Sequence, residues 1–260
     1  MLHDFLLRII STYLRYPYQH NNNNNNVKLM SLNQRFYSIR YIFIKQLCLN
    51  DHQSKYAYTH KPYNWNKVRS MFFFNSDINN VSALGKCHSL MLVYCENIRD
   101  VSALGQCRYL KLSNLNINDV SALGTCYFLS FCYCHNLSDV SALGTCNSLE
   151  IYCCENISDV SALGTCHSLV LDHCPKISDV SALRTCHSLV LNNCPKISDV
   201  SALRTCHSLV LNNCPKISDV SALGKCHSLV LDSCSNIRDV SALKNVQNLK
   251  IINCKNIIKN

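Results

Sequence analysis

Nineteen cysteines and eleven histidines stand among the 260 residues. Thiols and imidazoles can grip soft metals, cross-link chains or act as nucleophile and base. Their spacing decides between these chemistries. Sixteen of the cysteines fall on two series. One is Cys87, Cys107, Cys126, Cys146, Cys166, Cys186, Cys206 and Cys226; the other is Cys95, Cys134, Cys154, Cys174, Cys194, Cys214, Cys234 and Cys254. A histidine follows the first-series cysteine in five places: His88, His167, His187, His207 and His227. Adjacent side chains on an extended chain point to opposite sides, and no Cys-x-x-Cys pair offers the short loop of a zinc site. Disulfides between neighbouring members of a series are a second possibility. An odd count and a reducing compartment oppose it. The remaining reading is structural: free cysteine is a small apolar residue that fills space in a core.

Carboxylates recur in the same way, at Asp100, Asp119, Asp139, Asp159, Asp179, Asp199, Asp219 and Asp239. Calcium needs six to eight oxygens at each site, and each unit supplies one acid in this column. A row of like charges requires local donors, so each aspartate is expected to accept from the amides of the Ser-Ala that follows it. The histidine series belongs at a strand rim, where stacked rings resist being protonated together. It is either a packed polar row or a pH sensor. Neither a nucleophile–base set nor a phosphate-binding loop appears, so the sequence reads as a non-enzyme with no cofactor and no metal.

These columns need an element that repeats. Val-Ser-Ala-Leu recurs from Val81 to Val240 at steps of 20 residues, apart from one step of 19 between Val101 and Val120. A short fixed period defines a solenoid, in which each coil stacks on its neighbours. Within one coil the frame is Cys166-x-x-Leu169-x-Leu171-x-x-Cys174-x-x-Ile177-x-Asp179-Val180-x-x-Leu183. Leu169 and Leu171 point to one face of a short strand, and Ser168, Val170 and Asp172 to the other. Cys174 turns the chain, and Ile177, Val180 and Leu183 return it along the far side. Twenty residues leave too little chain for an α-helix there, so a 3₁₀ or extended convex side is expected. Nine strands at ~4.8 Å spacing give a parallel sheet about 40 Å long.

This frame resembles the leucine-rich repeat over residues ~81–258. The Ile-x-Asp-Val-Ser-x-Leu stretch is similar to the short repeats of internalins and related phosphatase regulators. The Cys-x-x-Leu…Cys-x-x-Ile frame is similar to the cysteine-containing repeats that accompany an F-box. The fold class implied is an α/β solenoid, a right-handed leucine-rich-repeat superhelix with nine repeats over 81–260. In the short unit Leu115 replaces a cysteine and Ile117 follows one residue early, which predicts a local kink or bulge.

Outward strand positions form the concave surface of such a sheet. In later repeats they are monotonous, as in Ser188, Val190 and Asn192. Earlier repeats carry Met91, Val93 and Tyr94, Tyr109 and Lys111, Phe128, Ser130 and Tyr133, and Glu150 and Tyr152. Aromatic and charged residues on neighbouring strands are what protein-binding hot spots are made of. Met91, Tyr94, Tyr109, Lys111, Phe128, Tyr133, Glu150 and Tyr152 are therefore the candidate substrate-binding residues; drift on an unused surface would produce the same variation. At the far end Lys250 guards the terminal strand edge.

Composition bounds the rest. Apolar residues make up 48% and charged residues 16%, a share that suits a folded core rather than a disordered chain. No run approaches the ~18 apolar residues of a membrane-spanning helix. Phe5–Leu14 is largely apolar, but Asp4 precedes it, Arg8 interrupts it and no small-residue cleavage site follows. The reading is intracellular and cytoplasmic. Net charge is +9, concentrated in residues 1–70, where ten Lys/Arg face two acids. That favours an acidic partner; without a binding motif, neither nucleic acid nor membrane is expected as a partner.

Asp4–Arg15 has apolar residues at 6, 7, 10, 13 and 14, the spacing of an amphipathic helix. Asn21–Asn26 reads as a loop, Val27–Ser38 as a second helix and Ile39–Leu49 as a third apolar stretch. Asp4, Leu6, Leu7, Ile10 and Leu14, then Leu29, Leu32, Arg35 and Phe36, resemble an F-box; the usual Leu-Pro opening is Leu2-His3 here. This gives a helical F-box-like domain at 1–50 with an Asn-rich loop at 20–26, a linker and capping unit at 51–80, then the repeats. The whole is similar to the F-box leucine-rich-repeat proteins, including those of amoebae and their giant viruses. The resemblance implies a substrate-recognition subunit of a ubiquitin ligase. Leu6, Leu7, Ile10, Leu14, Leu29, Leu32 and Phe36 would bind a Skp-type adaptor of a cullin–RING ligase, the repeats would bind a protein substrate, and a monomer is expected. The alternative is a plain interaction scaffold whose N-terminal helices only cap the array.

Overall fold

The computed structural model describes residues 46–49 and 70–258. Among them, eleven strands form one parallel sheet in which strand order is chain order. The strands are β1 (Gln46–Leu49), β2 (Ser70–Phe74), β3 (Ser89–Val93), β4 (Tyr109–Ser113), β5 (Phe128–Cys132), β6 (Ser148–Tyr152), β7 (Ser168–Asp172), β8 (Ser188–Asn192), β9 (Ser208–Asn212), β10 (Ser228–Asp232) and β11 (Asn248–Ile252). The pairing register advances one repeat per strand, as in Leu169↔Leu189↔Leu209↔Leu229. From β2 to β10 each coil is thus a strand, a turn, a 3₁₀ segment and a return.

Period-two patterning builds the strands. Leu169 and Leu171 are completely buried, while Ser168, Val170 and Asp172 keep partial exposure. On the far side Ser-Ala-Leu folds as 3₁₀, in segments such as Ser161–Thr165 and Ser181–Thr185. The Leu163 amide donates to the Val160 carbonyl at 3.0 Å, and the Cys166 amide to Leu163 at 3.1 Å. Small residues let these segments stack closely. A Cβ on Gly144 would sit 2.2 Å from the Ala162 carbonyl oxygen of the next coil. Thr165 Oγ1 ties the same coils together by donating to the Gly144 carbonyl at 2.5 Å.

Ile98, Val101, Leu104 and their counterparts close one continuous core beneath the sheet. From β2 to β11 the chain leaves each strand through a residue in the left-handed region, from Asn75 (φ 48°) to Asn253 (φ 53°), and none of these is glycine. The turn re-aims the next amide along the sheet: Tyr94 N–H donates to the Ser113 carbonyl at 3.0 Å.

Two expectations are corrected. The short unit shows no bulge in its strand: β4 pairs with β5 over five consecutive residues, Tyr109↔Phe128 through Ser113↔Cys132. The missing residue is taken from the turn, where other coils carry a Cys-x-x-Ile bond such as Ile98 N–H to Cys95 O at 3.1 Å. Leu115 and Ile117 both remain buried, so the core does not register the deletion. Ser76-x-Ile78 shortens the coil of β2 in the same way, and its sheet register also steps by 19 residues, Ser70↔Ser89. The second correction concerns the start of the sheet. Gln46–Leu49, the end of the third apolar stretch and inside the 1–50 domain expected to be helical, is a strand paired with Ser70–Phe73; its Leu47-x-Leu49 has the apolar spacing of the repeat strands. Residues 1–45 and 50–69 lie outside the described residues.

Candidate functional site

The concave face is set by which residues stand first, third and fifth in each strand. From β3 to β6 the first column reads Ser89, Tyr109, Phe128 and Ser148. The third reads Met91, Lys111, Ser130 and Glu150, and the fifth Val93, Ser113, Cys132 and Tyr152. Tyr94, Asn114, Tyr133 and Cys153 follow in the left-handed turn. Small residues make the floor, with Ser113, Ser130 and Cys132 buried although they sit on the outward face. Larger side chains stand over them. Phe74 meets Tyr94 edge-on at 5.8 Å, and Tyr133 meets His135 at 6.0 Å. At the strand starts Tyr109 lies 6.3 Å from Phe128 and 5.9 Å from Tyr127. Lys111 Nζ is 5.1 Å from the Phe128 ring centroid, within cation–π range.

All eight candidate substrate-binding residues fall on this face. Met91, Tyr94, Lys111, Phe128, Tyr133, Glu150 and Tyr152 are half-buried, and Tyr109 is 37% exposed. Sequence reasoning missed four neighbours. Phe72 and Phe74 belong to the face because Phe72 pairs with Met91 and Phe74 with Val93; the shortened turn at Ser76 hid that register. Arg108 and Tyr127 occupy the histidine column, with the guanidinium carbon 4.8 Å from the Tyr127 ring centroid. Aligning the units on Cys107 and Cys126 reveals them. The adaptor-binding candidates Leu6, Leu7, Ile10, Leu14, Leu29, Leu32 and Phe36 lie outside the described residues.

Beyond β6 the face changes character. Asn213 Nδ2 donates to Asn193 Oδ1 at 2.6 Å, and Asn193 Nδ2 to Asn192 Oδ1 at 3.0 Å. These amides satisfy one another in a ladder. Four histidines stack beside them at the strand starts: His167, His187, His207 and His227, with centroids 4.7, 4.5 and 4.4 Å apart and ring planes within 12° of parallel. The His207 pKa is lowered by desolvation and by the neighbouring His227 and His187. His88 stands apart from this stack and lies against Tyr109 at 5.3 Å.

Aspartates and thiols account for the remaining repetition. Each aspartate of the series accepts from the amide of the serine two residues on, as Asp179 Oδ1 does from Ser181 at 2.8 Å. That bond and one from the Ser181 hydroxyl hold the Asp179 carboxyl below its ordinary range. Asn80 fills the same role for Ser82 at 2.8 Å. The described cysteines are free thiols. Members of both series sit in the core, where Cys186 Sγ donates to the Leu163 carbonyl at 3.6 Å and Cys194 Sγ to Leu171 at 3.7 Å. Burial pushes Cys107 up to about 12 and Cys166 up to about 11, so these sulfurs stay protonated and unreactive at neutral pH. Among the described residues, no cluster of three or more His, Cys, Asp or Glu could hold a metal ion, and no helix is long and apolar enough to cross a membrane.

Strand order and repeat frame together define a leucine-rich-repeat solenoid with a single parallel sheet. A solved internalin of Listeria monocytogenes, InlF, shares the architecture. InlF is 27% identical with a TM-score of 0.57, the match covering 72% of this chain and 61% of InlF. Internalin C2 is 21% identical (TM-score 0.47, covering 72% of this chain and 81% of that one). The functional domain of InlJ, described as including a cysteine ladder, is 18% identical (TM-score 0.43, covering 75% and 56%). The chain therefore spans less than two thirds of InlF. No protein-family model and no curated protein matches it.

Proposed function

We propose that the chain captures a protein partner on the concave face of β2 to β6. The observation that carries this reading is that, among the strands from β2 to β11, Phe and Tyr side chains are confined to β2–β6. Phe74, Tyr94, Tyr109, Phe128, Tyr133 and Tyr152 cluster there over a buried Ser113–Ser130–Cys132 floor. Aromatic anchors around small residues make the pockets in which hot-spot side chains lodge. Lys111 and Glu150, on either side of Ser130 in the third column, add opposite charges that would set the partner's register.

The finer reading is that this partner is a substrate delivered to a ubiquitin ligase, with Leu6, Leu7, Ile10, Leu14, Leu29, Leu32 and Phe36 holding a Skp-type adaptor. Its support is the F-box resemblance of residues 4–36 and their place ahead of the repeats. Binding both proteins would raise the substrate's effective concentration beside the ligase. The test is co-precipitation of the full chain with the adaptor, wild type against Leu7→Ala with Leu14→Ala. Capture lost in the variant supports adaptor binding. An adaptor that never binds leaves a scaffold with a capped end.

A further inference from the structure

The connection from each 3₁₀ segment to its strand lies on one rim of the solenoid, and the fold sorts charge onto it. In nine successive coils, from 85–88 to 244–247, this four-residue connection contains no Asp or Glu. It does contain exposed cations, among them Arg184, Arg204 and Lys225, which stand two or three residues ahead of His187, His207 and His227. The acids lie elsewhere. Asp179, Asp199 and Asp219 cap the opposite ends of the 3₁₀ segments, and Asp172 and Asp232 close their strands.

The histidine rings turn their faces to one another at 4.4–4.7 Å, which leaves their N–H edges for a ligand. Three gaps of that size make a row ~14 Å long. Toward the N-terminus the same column continues through Asn147 to Tyr127, 45% exposed, and to Arg108 against its ring. Donors at a regular pitch, fixed cations beside them and an exposed aromatic in line suit a polymer that carries phosphates and flat bases.

We infer that this rim is a proton-gated site for single-stranded nucleic acid, phosphates lying along His167–His227 and a base against Tyr127. Nucleic acid was not expected for want of a binding motif; the residues concerned stand about twenty apart in sequence, and folding brings them into one line. Acidification gates the site because the connections that carry the column hold Arg184, Arg204 and Lys225, the strands that follow open on Ser168, Ser188, Ser208 and Ser228, and Asn248 Nδ2 lies 3.3 Å from His227 Nε2. None of them is an acid that would neutralise a charged imidazole. Bound phosphate is the counter-charge that lets neighbouring rings protonate together. The depressed His207 pKa and its dependence on both flanking rings agree with this.

The experiment measures fluorescence anisotropy of a labelled thymidine oligomer of about 20 nucleotides with the full chain, at fixed salt, near pH 7.5 and near pH 5.5. Residues 1–70 carry ten Lys/Arg against two acids, so differences between variants are read rather than bare affinity. Binding should be roughly tenfold tighter at the lower pH. His187→Asn with His207→Asn should abolish that gain, and Arg184→Gln with Arg204→Gln should weaken binding at both values. Tyr127→Ala should weaken the oligomer but not inorganic polyphosphate. Melting temperatures of the variants confirm that they are folded. The inference is overturned if acidification brings no gain, if the folded histidine variant keeps the gain, or if polyglutamate competes as well as unlabelled oligomer.

Discussion

At the scale of the residue, the repeated side chains hold the coils together. A buried thiol occupies a space between leucines and donates weakly to a carbonyl of the preceding coil, as Cys186 does to Leu163. Cys186→Ala should therefore cost about 1 kcal/mol in urea unfolding, through lost packing. Cys186→Ser should cost more, because a hydroxyl demands a stronger partner than a sulfur's neighbours provide. The aspartates make a different prediction. Their pKa values are lowered by serine donors in the folded state, so the stability they supply is fully present above the unfolded value of ~3.9. It disappears as pH falls through the folded values. Melting temperature should thus drop on acidification below about pH 4. Asp179→Asn should keep the turn, as Asn80 does in the first coil, whereas Asp179→Ala should lose it and melt lower at neutral pH.

Elements show how far sequence goes and where it stops. The strands were legible because Leu169-x-Leu171 has a period that only a half-buried strand satisfies, and the 3₁₀ side because twenty residues exclude a helix. The strand exits were not legible. Left-handed turns usually announce themselves by glycine, yet all six glycines lie on the 3₁₀ side, and the exits are Tyr94, Tyr133, Cys153 and others. Asparagine tolerates this conformation better than cysteine does, so Cys153→Asn should raise stability by about 0.5 kcal/mol in chemical denaturation. The shortened units hid in the same way, since a deletion in a turn changes spacing without touching the buried pattern. Inserting one residue between Leu115 and Ile117 should accordingly shift unfolding by no more than about 0.5 kcal/mol.

Over the whole molecule, uniformity and variation divide the work. Near-identical coils from β7 to β10 give length and a regular core, while β2 to β6 carry the side chains that distinguish one surface from another. The eight candidate residues were legible because departures stand out against a repeat. Phe72 and Phe74 were missed because that comparison needs the correct register at Ser76. The polarity of the rim was missed because charges twenty residues apart look scattered until they are stacked. In β11, the last described strand, Lys250 is exposed, and Ile251 and Ile252 beside it are 39% and 42% exposed.

Affinity capture from an extract of cells that express the protein, quantified by mass spectrometry, tests the concave face directly. Wild type is compared with Tyr109→Ala/Phe128→Ala and with Val190→Ala/Asn192→Ala, all three matched in melting temperature. The partner should be lost from the first variant by roughly tenfold or more and retained by the second. Equal recovery with all three proteins, or loss only from the second, would contradict a binding site on β2 to β6.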